Sequence, residues 1–391
     1  MDTDLTPELQ EFRRGVRRFV DGELRPWAEV IDREGEIPAG LWDAYTQHGY
    51  HGMRLPAEFG GAGLALMQYC LAMEEFSRVH RVFTITANFT SGMTPLAIMR
   101  NGTSAQKSRY LKGFARGQLK SGFALSEPGG GSDAGAITTR AERRGGNWVL
   151  NGRKHYISGG HMADVIMVIA VTDPEKRQKG GITAFLVDKG TPGFTVTRVD
   201  TTIASGAIKL AELTFEDCKV PDEAVLGEVG QGFKIAMGSL NAGRLNVSCC
   251  CIGAAESLLA MSTGHAKLRQ SFGAPLADRQ AIQWMLVDSA IDIKAARAMT
   301  YDTLMKVEAG RDVASAGSMC KVFCSEMVGR VADRAVQIHG GQGVMHGFPV
   351  ERFYRDVRHY RVGEGASEIQ RIVIARDLIK TGGTLAMGGL I

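Results

Sequence analysis

The spacing of apolar residues changes twice along the chain, and this constrains the fold more than any single motif. Up to about residue 120 the apolar positions recur at helical spacing, as in Phe12, Val16, Phe19 and Val20. From about 121 to 225 the period becomes two. AITTRAER, NWVLNGRKHYIS, DVIMVIAVTD, GITAFLVDK, FTVTRVD and KLAELTFEDCKV read as short strands separated by Gly-Gly, Asn-Gly and Thr-Pro-Gly turns. No helical segment intervenes, so an antiparallel barrel or sandwich is expected, not a parallel sheet. From about 226 the helical period returns in long segments such as RLNVSCCCIGAAESLLAMSTGHAKLRQ. The expected class is α+β, mostly α. An N-terminal helical domain covers residues 1–120, a small antiparallel β-barrel or sandwich 121–225, and a C-terminal domain of four-helix-bundle type 226–391.

Local signals agree with this organisation. Thr6-Pro7-Glu8 opens the first helix, with proline in the first turn and an acid near its positive end. LMQYCLAMEEFSRV and SAQKSRYLKGFARG give later helices, the second capped by Ser104, and LPAEFGGAG is a turn-rich loop. Charge is balanced and dispersed, 46 Lys and Arg against 42 Asp and Glu, which argues against a nucleic-acid surface and a non-enzymatic DNA-binding role. The seven cysteines lack the paired spacing of a zinc site, so no metal is expected and buried free thiols are. MDTDLTPELQEF resembles neither a signal peptide nor a transit sequence, and no run reads as long and apolar enough to span a membrane. A cytoplasmic protein without a membrane partner is expected.

Two glycine-rich stretches are candidates for chemistry. In FALSEPGGGSDAG, Gly129, Gly131 and Ala134 formally match a dinucleotide fingerprint. That fingerprint needs a helix after the glycines, and the alternating AITTRAER follows instead, so a Rossmann site is rejected. The loop suits the polar edge of a planar ring or a phosphate, or is a plain turn between strands. In RVGEGASEIQR, Glu364 stands between Gly363 and Gly365. It is either a solvated turn acid or a base whose backbone closely approaches a ligand.

FALSEPGGGSD, NGRKHYIS, FEDCKVP, GQGFKIAMGSLNAGR, RQSFGAPLADRQAIQ, QIHGGQG and VGEGASEIQR, in this order, resemble the acyl-CoA dehydrogenase family over nearly the whole chain. The resemblance implies FAD, an acyl-CoA thioester substrate, an electron-transferring flavoprotein as acceptor, and a homotetramer built as a dimer of dimers. By position, Phe123, Leu125 and Ser126 would border the flavin ring, with Tyr156 and Ser158 beside it. Ser132 would touch the CoA part, Arg244 would stand at the substrate mouth, and Gly365 would belong to the substrate-binding residues. Arg269, Ser271, Phe272, Gln280, Gln337 and Gly341 would hold the diphosphate and adenine end, reaching across from a neighbouring subunit. Glu364 matches the family's base. Some relatives carry the base on the helix of LNAGR, where this chain has Gly243.

The chemistry fits these residue types. Removing hydrogen from adjacent carbons requires a base for the α-proton and a redox cofactor for the β-hydride. A desolvated carboxylate gains basicity, and a backbone N–H aimed at the thioester carbonyl stabilises developing negative charge. The chain departs from the family at Ala366, Gly363, Asn241 and Tyr156. Gly363, where many relatives carry tyrosine, suggests a pocket wide enough for branched or cyclic acyl groups. Two other readings keep the fold: a dehydrogenase of carrier-protein-bound acyl groups, and a flavin oxidase.

Overall fold

The computed structural model describes residues 5–311 and 313–383. Its N-terminal part is helical: α1 (Pro7–Phe19), α2 (Trp27–Glu34), α3 (Ala39–Gln47), α4 (Leu66–Ser77), α5 (Arg81–Ser91), α6 (Met93–Asn101) and α7 (Ser104–Ala115). Thr6 caps α1, accepting from the Leu9 N–H, with Pro7 at the first position. The α7 cap is Thr103, one residue before the expected Ser104. Its hydroxyl and the Gln106 side chain satisfy each other's backbone N–H groups in a capping box.

The middle part contains β1 (Ser121–Ala124), β2 (Arg140–Arg144), β3 (Asn147–Ser158), β4 (Val165–Val171), β5 (Ile182–Asp188), β6 (Phe194–Thr201), β7 (Lys209–Pro221) and β8 (Val225–Leu226). The strand order is β6-β7-β3-β2-β4-β5-β8. Pairing is antiparallel, as alternation predicts, with two exceptions: β1 runs parallel to β4, and β2 meets β4 through one parallel bridge, Arg140 to Val171. β1 arrives from the helical part, so no hairpin fixes its direction.

The C-terminal part comprises α8 (Gly232–Leu268), a small hairpin of β9 (Gln270–Ser271) and β10 (Ala274–Pro275), then α9 (Gln280–Glu308), α10 (Ala314–His339), α11 (Pro349–Arg358) and α12 (Ser367–Lys380). The architecture is α+β, mostly α. Helix α8 corrects one expectation: by length and composition it passes for a membrane span. Most of it is core, packed between α10 and α4. A helix apolar on all sides is what a central position in a bundle requires.

One hydrophobic core joins the first and last parts, running through Phe76, Leu71, Cys250, Ile252, Val328 and Phe353. At the α4–α8 crossing a Cβ on Gly253 would lie 2.0 Å from the Glu74 carbonyl oxygen, so glycine sets the helix separation. The buried carboxylates Glu74 and Glu75 of α4 are paired with Arg13 and Arg297. This packing fixes α5, α8 and α10 around the end of α11, where Glu364 lies.

Candidate active site

Glu364 sits in the turn between α11 and α12 with φ +55°, followed by Gly365 at φ +90°. A left-handed conformation is uncommon for a residue with a side chain and persists only where its surroundings enforce it. Here they do. The Lys321 ammonium donates to the Gly365 carbonyl at 2.7 Å and Gln370 Nε2 donates to it at 3.2 Å. The Val362 and Gly363 N–H groups both donate to the His359 carbonyl at 2.9 Å. The Glu364 N–H finds no acceptor among the described residues, and its Oε2 is buried without a hydrogen-bond partner.

The carboxylate lies against α8 at Gly243. A Cβ there would be 2.2 Å from Glu364 Oε2 and 3.1 Å from its Cδ. The glycine that removes one possible base therefore makes room for the other. Burial raises the Glu364 pKa above the ordinary value, opposed by the charges of Lys321, Arg81 and Arg244. Lys321 is fully buried and Arg244 nearly so, and burial lowers the pKa of both. Arg244 Nη1 donates to Ser318 Oγ at 3.2 Å, while its Nε has no partner. Arg244 also lines a cavity of about 270 Å³ with Arg54, Arg100, Arg311, Leu66 and Val307, a basic vestibule beside the carboxylate.

The expectation for Gly363 is overturned. A Cβ at 363 would meet the His359 ring, 2.4 Å from Nε2, so the missing side chain opens no space for substrate. The imidazole occupies it, held neutral first by the Arg81 charge and then by burial. Ala366 is the N-cap of α12 and supplies no side-chain cap. The Asn241 side chain lies outside the described residues.

Five of the expected flavin contacts converge. The His155 N–H donates to the Ser126 carbonyl at 2.9 Å, joining the end of β1 to β3. Beside that bond Tyr156 has φ +61°, at an irregularity where the β3–β7 register shifts, and its ring is exposed. A bulge of this kind re-aims a side chain. Leu125 belongs to a core cluster with Phe123, Met237 and Leu240 packed around it, which places this edge beside the start of α8, one turn before Gly243. Phe123, Ser126 and Ser158 are at least partly accessible there. An apolar platform with hydroxyls on its rim suits a flavin ring.

The glycine loop has an anchor that sequence reasoning missed. Glu127 accepts from Lys154 Nζ at 2.8 Å and from the N–H groups of Thr138 and Thr139, and Lys154 also donates to the Leu125 carbonyl. Ser132 is left exposed in the loop. A lysine within an alternating strand was the available signal. Lys321, Arg81 and His359 were also missed, because in the sequence they read as ordinary helix-surface residues.

The second expected group does not join the first. Arg269 is the C-cap of α8, about seven turns and roughly 39 Å along the helix from Gly243. Ser271 and Phe272 follow in the β9–β10 hairpin, Gln280 opens α9, and Gln337 and Gly341 stand at the end of α10. The His265 and His339 rings, 4.4 Å apart, hold those helix ends together. Phe272 is 98% exposed, and Leu268, Trp284, Val287 and Ile291 are exposed near it in sequence.

Three family models cover the chain in order: the acyl-CoA dehydrogenase N-terminal domain over residues 6–118, the middle domain over 122–218 and the C-terminal domain over 230–379. The chain belongs to the acyl-CoA dehydrogenase family. It is 40% identical to an acryloyl-CoA reductase (NADH) of Anaerotignum propionicum, over 97% of this chain and 96% of that protein. It superposes on butyryl-CoA dehydrogenase of Megasphaera elsdenii with a TM-score of 0.92 at 35% identity, covering 97% and 100% of the chains. A chain solved in work on the electron transferring flavoprotein of Acidaminococcus fermentans gives 0.93 at 36%, with the same coverage. The protein is thus an oxidoreductase of acyl-CoA dehydrogenase type, and the family's cofactor is FAD.

Proposed function

We propose that the protein dehydrogenates an acyl-CoA thioester between its α and β carbons, with Glu364 as the base. One observation carries this reading: a buried carboxylate oxygen without a partner, beside a backbone N–H without a partner, on a turn held in a left-handed conformation. Bound FAD supplies the acceptor for the hydride leaving the β carbon. Glu364 takes the α-proton on Oε2, where burial favours the protonated form. Its N–H donates to the thioester carbonyl, which becomes more negative as the α-proton leaves. Lys321 and Gln370 keep the turn from relaxing, through the Gly365 carbonyl. Arg54, Arg100 and Arg244 give the vestibule a charge suited to the phosphates of CoA.

Phe123, Leu125, Ser126, Tyr156 and Ser158 would hold the flavin ring. Arg269 caps the far end of α8 and Ser271, Phe272, Gln280, Gln337 and Gly341 stand on the elements beyond it or at the end of α10, so this group would serve a cofactor on a second copy of the chain. The exposed apolar residues around Phe272 support such an assembly. An electron-transferring flavoprotein is the acceptor suggested by the similarity to the Acidaminococcus chain. The Anaerotignum relative supports a second direction, reduction of a 2-enoyl thioester through the same residues.

The test is an anaerobic spectral titration of the FAD-loaded protein with acyl-CoA thioesters. Wild type should bleach, and Glu364→Gln should keep the flavin band without bleaching. Bleaching by Glu364→Gln at the wild-type rate would remove Glu364 from the base role.

A further inference from the structure

Consecutive side chains of a strand point to opposite faces, yet those of His155 and Tyr156 lie on each other. Their rings are stacked, with centroids 4.0 Å apart and planes tilted by 7°. The positive φ of Tyr156 makes this possible, where the β3–β7 register shifts between Lys154 and Ile157. The two rings have different surroundings. His155 is buried, whereas Tyr156 is exposed, as is Ser158, with the buried Ile157 between them. Tyr156 and Ser158 thus share the open face of β3, and the imidazole backs the phenol ring from inside.

The imidazole is itself held. Arg198 Nη2, on β6, donates to His155 Nε2 at 3.0 Å. The same guanidinium donates to Asp200 of β6 through Nε at 3.0 Å and lies 3.3 Å from the Glu212 carboxylate of β7. Those two carboxylates stand 3.4 and 3.9 Å from His155 Nε2. Three side chains from two strands therefore fix the ring. The backbone is fixed as well, since the His155 N–H donates to the Ser126 carbonyl at 2.9 Å. His155 is thus joined to both sides of the proposed flavin wall, to the Ser126 segment by its backbone and to Tyr156 by its ring. A left-handed conformation of a residue with a side chain persists only where its surroundings enforce it. Here the enforcing contact is an aromatic plate under an exposed ring.

We propose that His155 is a positioning residue for the flavin, fixing through its stack the orientation in which the Tyr156 ring meets the cofactor. This rests on the reading above that Tyr156 borders the flavin. A wall already ordered before binding spares the cofactor the cost of ordering it. In this role the imidazole acts as a flat ring, and its hydrogen bonds serve to hold that ring in place. Phenylalanine should therefore replace it better than leucine.

Variants reconstituted with FAD test it, read by the visible band of the bound flavin and by FAD affinity. Tyr156→Leu and His155→Leu should shift the band alike and weaken FAD binding about two- to tenfold, the range of one lost aromatic pair. His155→Phe should stay close to wild type. In the Tyr156→Leu background, His155→Leu should have almost no further effect on the band, since both changes act through one ring. A merely structural residue would add its own separate loss, and additive effects overturn the proposal. A wild-type band in His155→Leu beside a shifted one in Tyr156→Leu also overturns it, and leaves Tyr156 at the flavin. An unshifted band in Tyr156→Leu refutes instead the flavin contact on which the role rests. Equal losses in His155→Phe and His155→Leu overturn stacking as the means. Should His155→Leu not fold, Arg198→Gln loosens the same ring from an exposed side chain. A band shifted in the direction of Tyr156→Leu then supports the role, and a wild-type band overturns it.

Discussion

Gly243→Ala is a minimal perturbation with two opposed consequences. A methyl group at 243 would lie 2.2 Å from Glu364 Oε2, where ordinary contact begins near 3.4 Å. The carboxylate must retreat by about 1 Å, and a displacement of that size in a reacting group can cost roughly a hundredfold in rate. The same substitution favours the fold, because alanine inside a helix is better than glycine by roughly 0.5–1 kcal/mol. The clash is with the end of one side chain that can swing away, so little of that gain is lost. Stopped-flow flavin reduction should therefore fall about a hundredfold, while the melting temperature stays level or rises and the flavin remains bound. In a Glu364→Gln background the alanine should have almost no further kinetic effect, since both changes act on one group. Reduction by the single variant within about threefold of wild type would refute the claim that Gly243 positions the base.

Glu364→Gln should alter how stability depends on pH. The folded-state pKa is raised, so the protonated form is favoured by folding, and this contribution is lost as pH rises from the ordinary glutamate range through the raised value. The variant should thus melt higher than wild type at neutral pH and show little difference in acid. A flat difference across pH would mean that the carboxylate is not desolvated. Ala366→Thr should add about 1 kcal/mol by giving α12 a side-chain cap, read from urea midpoints. Lys154→Met should cost about 3–5 kcal/mol, because Glu127 would remain buried and ionised without its only cationic partner among the described residues, held by the Thr138 and Thr139 donors alone. Glu127 is held at about 2, so its contribution persists above the ordinary carboxylate range and fades only as pH falls towards that value. A loss under about 1 kcal/mol would show that water replaces the lysine.

Most of the strands were legible because a half-buried sheet imposes a two-residue period on the sequence that builds it. The expected segments match β2 to β7, with β2, β6 and β7 each running one residue past the segment that predicts it. The direction of β1 was not legible, since no short turn ties it to β4. The buried role of α8 was only partly so: its apolar character is plain, but only packing shows that α4 and α10 cover it. At the site, Glu364 between two glycines was readable as a candidate. Gly363 misled, because a missing side chain can leave room either for a ligand or for a neighbour, and here the neighbour is His359.

By itself the sequence determined the order of helical and extended parts, the family motifs and one carboxylate on a glycine turn. These are local properties, written in residue spacing and backbone preference. Tertiary structure alone decided what surrounds that carboxylate. Arg81, Gly243, Lys321 and Glu364 lie on different elements, and nothing in the chain's periodicity distinguishes them from surface charges or an ordinary helical glycine. Their effect comes from shared burial, where unpaired charge is costly and small distances matter. Separation works in the same way for the proposed flavin contacts. A long straight helix holds Arg269 far from Gly243, and that distance, absent from any motif, is why one chain alone does not bring both groups to one cofactor end.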